Sequence, residues 1–240
     1  MKSYLALASL LLCTACSSIN SSDIKASGIH ATNSVSATGG SVTCESTLRA
    51  GGGTGSYVDL DTGDALYCNG VHMKREGDMF GQISYRASVA SSPRALYEIK
   101  LVHQGETLRS GAVMPSPITG ARILGGTVHP IGSSVSVTWD PSQYADEGME
   151  ANLVMQDSTE KQFGGAKYTD SAPESGSATF TSNETVIKRY NDQTNSYDRV
   201  AGPYKVTIEL RREKTGALEG AWKGSMRAHQ SATIEAKFIE

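Results

Sequence analysis

Residues 203–211 alternate without a break. Tyr204, Val206, Ile208 and Leu210 fall on one face, and Lys205, Thr207, Glu209 and Arg211 on the other. Successive side chains of a strand point to opposite faces, so this pattern builds a half-buried strand and cannot build an amphipathic helix. The same period recurs along the chain. Val135, Val137 and Trp139 share a face against Ser134, Ser136 and Thr138. Tyr97, Ile99 and Leu101 oppose Glu98, Lys100 and Val102, and Ala232, Ile234, Ala236 and Phe238 oppose Thr233, Glu235, Lys237 and Ile239. No stretch offers three turns of amphipathic helix. Turn signals such as Asp61-Thr62-Gly63-Asp64 and Asn69-Gly70 separate the runs, and Asn-Gly suits a type I′ hairpin because both positions tolerate positive φ. The expected fold class is all-β, built as sandwiches.

A chain of 240 residues accommodates one large or two ordinary domains. Pro115-Ser116-Pro117 closes one alternating run shortly before the next begins. Two β-sandwiches are therefore expected, over residues 35–114 and 118–240, with the prolines as a short, angle-restricting hinge. Residues 118–131 are too apolar for a free linker and read as the opening strand of the second sandwich. Trp139 reads as core. Residues 212–220 read as a hairpin loop, 221–228 as a returning strand and 229–239 as a final strand. In Tyr97–Glu106, Val113–Ile118, Val135–Ser142 and Gly202–Ile208, the chain resembles exported bacterial proteins with tandem immunoglobulin-like or fibronectin-type modules. The resemblance implies two tandem immunoglobulin-like sandwiches and names no activity.

The N-terminus reads as an address. Met1-Lys2 is a short positive region, and residues 4–12 are apolar but too short to span a bilayer. Ala15-Cys16 follows, with Cys13 three places before Cys16 where leucine is usual. This resembles a bacterial lipoprotein processing site. The resemblance implies that 1–15 is a signal peptide and that Cys16 carries the lipid, palmitate included. It further implies an outer-membrane location and the bilayer as a partner. Cleavage after Ala15 without lipidation is the alternative. Residues 16–34 are small and polar and read as a flexible tether.

With Cys13 and Cys16 accounted for, Cys44 and Cys68 remain. Two cysteines in an exported chain are most simply a disulfide. Whether it crosses between sheets does not follow from spacing.

The chemistry-bearing motifs are sparse. The formal charge of -3, from 22 basic and 25 acidic residues, gives no concentrated basic surface for nucleic acid. Gly51–Gly55 lacks the Lys-Ser/Thr of a phosphate loop, and the five histidines are scattered. No cofactor is implied, and no catalytic residues are assigned. Asp59, Asp61 and Asp64 come nearest to a calcium loop, but their spacing fails the EF-hand pattern and also fits a turn whose carboxylates bind backbone N–H groups. His103 falls in an expected hairpin turn, where exposure is the default. The long polar segments 157–177 and 191–202 read as loops. Phe163, Tyr168 and Tyr197, with Tyr190 at the edge of the second segment, are candidate anchors for a protein partner. The chain thus reads as a non-catalytic envelope lipoprotein. A carbohydrate-binding module is the alternative, and it requires Tyr168, Tyr197 and Trp222 to be exposed and coplanar.

Overall fold

The computed structural model describes residues 18–240 apart from Gly39, Phe80, Pro93, 158–161 and 172–173, together with the backbone but not the side chains of 162–164. Among the described residues the chain is all-β, with two single-turn 3-10 helices at Ser21–Asp23 and Ala26–Gly28. Four sheets form among these residues and none of the four closes into a barrel.

The organising element is the closing strand, Lys223–Ile239. It runs parallel to Ile29–Thr38, from His30 beside Lys223 to Ala37 beside Gln230. It runs antiparallel to Tyr204–Thr215, from Thr215 beside Arg227 to Tyr204 beside Phe238. A single eleven-stranded sheet results. The alternation never slips. Met226 and Ala228 enter one hydrophobic cluster, while Ala236 and Phe238 on the same face enter the other. Close approach at the start of the strand requires Gly224, whose φ is +134° and where a Cβ would lie 1.7 Å from the Ala31 carbonyl oxygen.

Each cluster is covered by a smaller sheet, an arrangement consistent with β-sandwiches. Over the first lies a five-stranded sheet that includes Ala65–Cys68, Leu96–His103 and Glu106–Val113. Its Leu66, Ile99 and Leu101 meet Val35 and Leu48 of the long sheet. Cys44, on Ser41–Ala50, and Cys68 form a disulfide with a Cα–Cα distance of 6.3 Å, so the bond joins the two facing sheets. Over the second cluster lies a three-stranded sheet of Arg122–Ile123, Val135–Thr138 and Ser177–Phe180. Val135, Val137 and Trp139 pack there with Leu153 and Ile208. Asn69 and Gly70 take φ of 48° and 82°, the positive values that the hairpin turn needs.

Several sequence expectations change. The tether expected over 16–34 is structured from Ser18 onward: Ser18–Asn20 and Ile29–Thr38 are strands. Ile29, Ala31, Val35 and Ala37 point inward, and the alternation is masked by Asn33, a buried polar residue. Its side chain donates to Ser110 Oγ at 2.8 Å and accepts from Ser46 Oγ at 2.7 Å. The loop expected over 157–177 contains the strand Gln162–Asp170, an edge strand of the long sheet. Residues 212–215 extend their strand, and 223–239 form one strand instead of two. The first core therefore takes Trp222, Met226 and Ala228 from the far end of the sequence, and the division at residues 114–118 does not separate the two cores.

The proline segment is held by a buried ionic cluster. The alternation of Tyr204–Leu210 continues to Arg212, which therefore points inward at 1% exposure. Arg212 donates to both oxygens of Glu174, at 2.6 and 2.7 Å, and to the carbonyls of Ser116, Pro117 and Asp140 at 3.1, 2.8 and 3.2 Å. Trp139 Nε1 donates to Glu174 at 3.0 Å. Glu147, whose side chain is also buried, accepts from Ser142 Oγ at 2.7 Å, from the Ser116 hydroxyl and N–H, and from Arg94. Burial alone would raise the Glu147 carboxyl. The Ser116 and Ser142 hydrogen bonds and the Arg94 charge outweigh burial and hold it below its ordinary value. Gln230 adds a bond to the Pro115 carbonyl at 3.3 Å.

Candidate functional site

At one end of the closing strand a two-stranded hairpin projects from the second core. Its strands are Lys188–Asn191 and Ser196–Arg199; the second lies within the segment 191–202 expected as a loop, and the first only reaches its edge. The register sets Tyr190 directly opposite Tyr197. Their rings meet edge to face, 5.3 Å between centroids at 62°, a favoured aromatic geometry. The pair is nonetheless open to solvent, with Tyr190 47% and Tyr197 70% exposed.

The turn carries its own supports. Asn195 adopts φ 51°, a left-handed conformation that asparagine tolerates, and accepts from the Tyr190 hydroxyl. Asn191 Nδ2 donates to Asp198 at 2.5 Å. The base is fixed to the body. Ile187 is buried, and the Val200 N–H donates to its carbonyl at 2.9 Å. Arg189 pairs with Asp157 at 3.1 Å, and Arg199 Nη2 donates to the Ile131 carbonyl at 3.2 Å. A cleft of about 510 Å³ runs along the hairpin, lined by Arg189, Tyr190, Asp192 and Asp198 among others. The site is an aromatic knob on a supported ribbon, edged by charges of both signs.

The other proposed anchors lie elsewhere. Tyr168 sits opposite Ala151 and packs, half-buried, against the second core. The Phe163 side chain lies outside the described residues. Trp222 is 4% exposed in the first core. Tyr168, Tyr197 and Trp222 therefore form no common platform on which a sugar ring could stack.

The chain's N-terminal end lies at the other extreme of the closing strand. His30 pairs with Lys223 at its start, whereas Ile131, which receives the hairpin's Arg199, donates its N–H to the Ile239 carbonyl at its end. At about 3.3 Å per residue, the 17-residue strand separates these ends by roughly 50 Å. Cys16 lies outside the described residues, but the chain is pinned from Ser18. Ser18–Asn20 runs parallel to Tyr57–Asp59. Ser21 Oγ donates to Asp64 at 2.6 Å and accepts from the Asp61 N–H at 2.9 Å, and the Ser22 N–H donates to Asp61 at 3.0 Å. Contrary to its expected exposure, His103 is fully buried. Its ring nitrogens lie 2.7 Å from Asp64 and 2.8 Å from the Ile24 carbonyl.

The three aspartates of the calcium candidate are thus separately engaged. Asp59 pairs with Arg75 at 2.7 Å, while Asp61 and Asp64 hold the N-terminal strap. Burial pushes the Asp64 carboxyl up, but bonds from Ser21, His103 and the Gln104 N–H prevail and bring it below its usual value. Among the described residues no group of three or more His, Cys, Asp or Glu side chains is placed to hold a metal ion, and no helix is long and apolar enough to cross a membrane.

Sequence reasoning named both tyrosines of the hairpin but missed Arg212, Glu147 and Glu174. The signal for Arg212 was present, since it continues the inward register begun at Tyr204. No such signal exists for Glu147 or Glu174, which reach the cluster from separate loops. Compared with known proteins, the chain matches no family model, and no curated protein matches it.

Proposed function

We propose that this chain is a non-catalytic lipoprotein of the outer membrane, anchored through Cys16, that presents the Tyr190–Tyr197 hairpin to a protein partner in an envelope assembly. In this reading residues 1–15 are removed as a signal peptide and the two halves descend from immunoglobulin-like modules; the disulfide between facing sheets of the first half supports that ancestry. The observation that carries the proposal is the exposed aromatic pair at the end of the closing strand opposite the N-terminal strap. Exposed aromatics on a supported ribbon are typical interface anchors, and a body whose chain is paired into the sheet from Ser18 onward holds them at a fixed height. Charges of both signs beside the rings suit a protein surface better than an anionic polymer.

The test is recovery of partners by the full-length chain from detergent-solubilised envelopes. Wild type should retain a discrete partner, and Tyr190→Ala/Tyr197→Ala should lose it. Because the rings are exposed, the double variant should keep its unfolding free energy within about 1 kcal/mol of wild type. Equal recovery by wild type and variant would remove the hairpin from the proposal. Metabolic palmitate labelling that persists in Cys16→Ala would remove the anchor.

A further inference from the structure

The first half carries a polar cleft, remote from the hairpin, where the long sheet forks. Ser41–Ala50 pairs with Ile83–Ala90 from Ser41 to Ser46 and with Ser56–Asp59 at Arg49 and Ala50. Between those two partners, at Thr47 and Leu48, the neighbouring strands part. A cleft of about 550 Å³ opens there, within the roughly 300–1,000 Å³ range of small-ligand sites. The Tyr57 hydroxyl donates to Gln82 Oε1 at 3.1 Å across the fork. Beneath it, Tyr85 is buried, donating to the Val58 carbonyl at 3.2 Å and accepting from the Leu60 N–H at 2.8 Å. Burial pushes its phenol up to about 12, so it is a neutral support for the fork.

The lining selects a chemical class. Glu45, Glu76 and Asp78 face the cleft together with Arg49 and Arg86. Arg86 is already paired with Glu45 at 3.2 Å and Glu76 at 3.3 Å. Arg49 lies 3.9 Å from the Tyr57 ring centroid and donates to the Gly55 carbonyl at 2.8 Å and the Tyr57 hydroxyl at 2.6 Å. An anion would meet three carboxylates, and a cation would meet two guanidiniums. An apolar ligand would desolvate all five groups without replacing their bonds to water. A neutral polyhydroxylated ligand avoids all three penalties, because each hydroxyl both donates and accepts. Each guanidinium has five N–H donors, of which these bonds use two, and each carboxylate offers about four acceptor positions. Thr32, Thr47 and Ser84 extend the hydroxyl-binding surface. Next to the cleft wall at Gly53, His30 Nδ1 is buried without a hydrogen-bond partner among the described residues.

We propose that this cleft binds a short neutral oligosaccharide by hydrogen bonding to Arg49, Arg86 and Glu45, without aromatic stacking. The site is independent of the hairpin and of the lipid anchor. It also differs in place and chemistry from the stacking platform that Trp222's burial removes.

The experiment is a titration of the ¹⁵N-labelled Cys16→Ala mature chain with maltotriose and, separately, with N,N′,N″-triacetylchitotriose. Saturable shifts are expected at the amides of Thr47, Arg49, Gly77 and Ser84, with none at Tyr190 or Tyr197. A response to maltotriose alone identifies a glucan ligand, and a response to the acetylated sugar alone identifies an amino-sugar polymer. Glu45→Gln and Arg86→Met, at side chains that are partly exposed, should each weaken binding by about ten-fold or more, as expected for loss of a charge-assisted hydrogen bond. Absence of shifts with both sugars at millimolar concentration, or unchanged binding in both variants, would overturn the proposal. Shifts at the hairpin in place of the cleft would also overturn it.

Discussion

Replacing Arg212 with methionine should lower the unfolding free energy by about 3–5 kcal/mol, the cost typical of leaving a buried charge without its partner. The side chain is almost wholly enclosed and makes five hydrogen bonds, two to Glu174 and three to backbone carbonyls. Methionine fills much of the volume but, among the described residues, leaves the Glu174 carboxylate with the Trp139 indole and the Ser142 N–H as its donors. Arg211→Met is the matched control. Arg211 is the same residue type one step along the strand, half-exposed and paired with Glu213 at 2.7 Å, and its loss should cost about 1 kcal/mol or less. Urea melts of the three proteins measure the contrast. Similar losses from both variants would mean that Arg212 does not hold the proline segment as described. A double-mutant cycle with Glu174→Leu should show a coupling above about 1 kcal/mol, because contacting members of one network are not additive.

Loss of the disulfide should be the next largest effect. The bond closes a loop with a sequence separation of 24 and joins the facing sheets of the first core, so Cys44→Ala/Cys68→Ala should lose about 2–4 kcal/mol. The two tryptophans report where that loss is felt. Trp222 belongs to the first core and Trp139 to the second. Since one strand runs through both cores, single-tryptophan versions of the disulfide-free chain should unfold with coincident midpoints, both shifted down. A shift in the Trp222 transition with none in that of Trp139 would show instead that the cores melt independently.

What the sequence made legible depended on how local the determining interactions were. The period of Val135–Trp139, Tyr97–Leu101 and Tyr204–Leu210 lies within each strand, and the structure follows it. The Asn69-Gly70 turn is equally local. The parallel pairing of Ile29–Thr38 with Lys223–Gln230 joins segments almost two hundred residues apart, and no neighbouring residue announces it. Its inward face also carries Asn33, which Ser46 and Ser110 satisfy once the chain is folded, so the strand reads as polar tether. Arg212 was hidden by a sound general rule, that charges stay at the surface. The rule yields here because Glu174 and three carbonyls replace water. His103 reads as a turn residue until the N-terminal strap covers it. At the hairpin both tyrosines stood out by composition, but their pairing follows from a register that the intervening polar residues do not reveal.

One strand shared by both cores makes the chain a single rigid body, with its N-terminal end and tyrosine hairpin held at a fixed separation. Spin labels at Thr62, on the exposed turn beside the N-terminal strap, and at Gln193, on the hairpin turn, test this in the Cys16→Ala mature chain by pulsed dipolar spectroscopy. A single narrow distance distribution is expected at roughly the length of the closing strand, about 50 Å, and it should broaden in Arg212→Met. A broad or two-peaked distribution in the wild-type sequence would show instead that the two ends move independently.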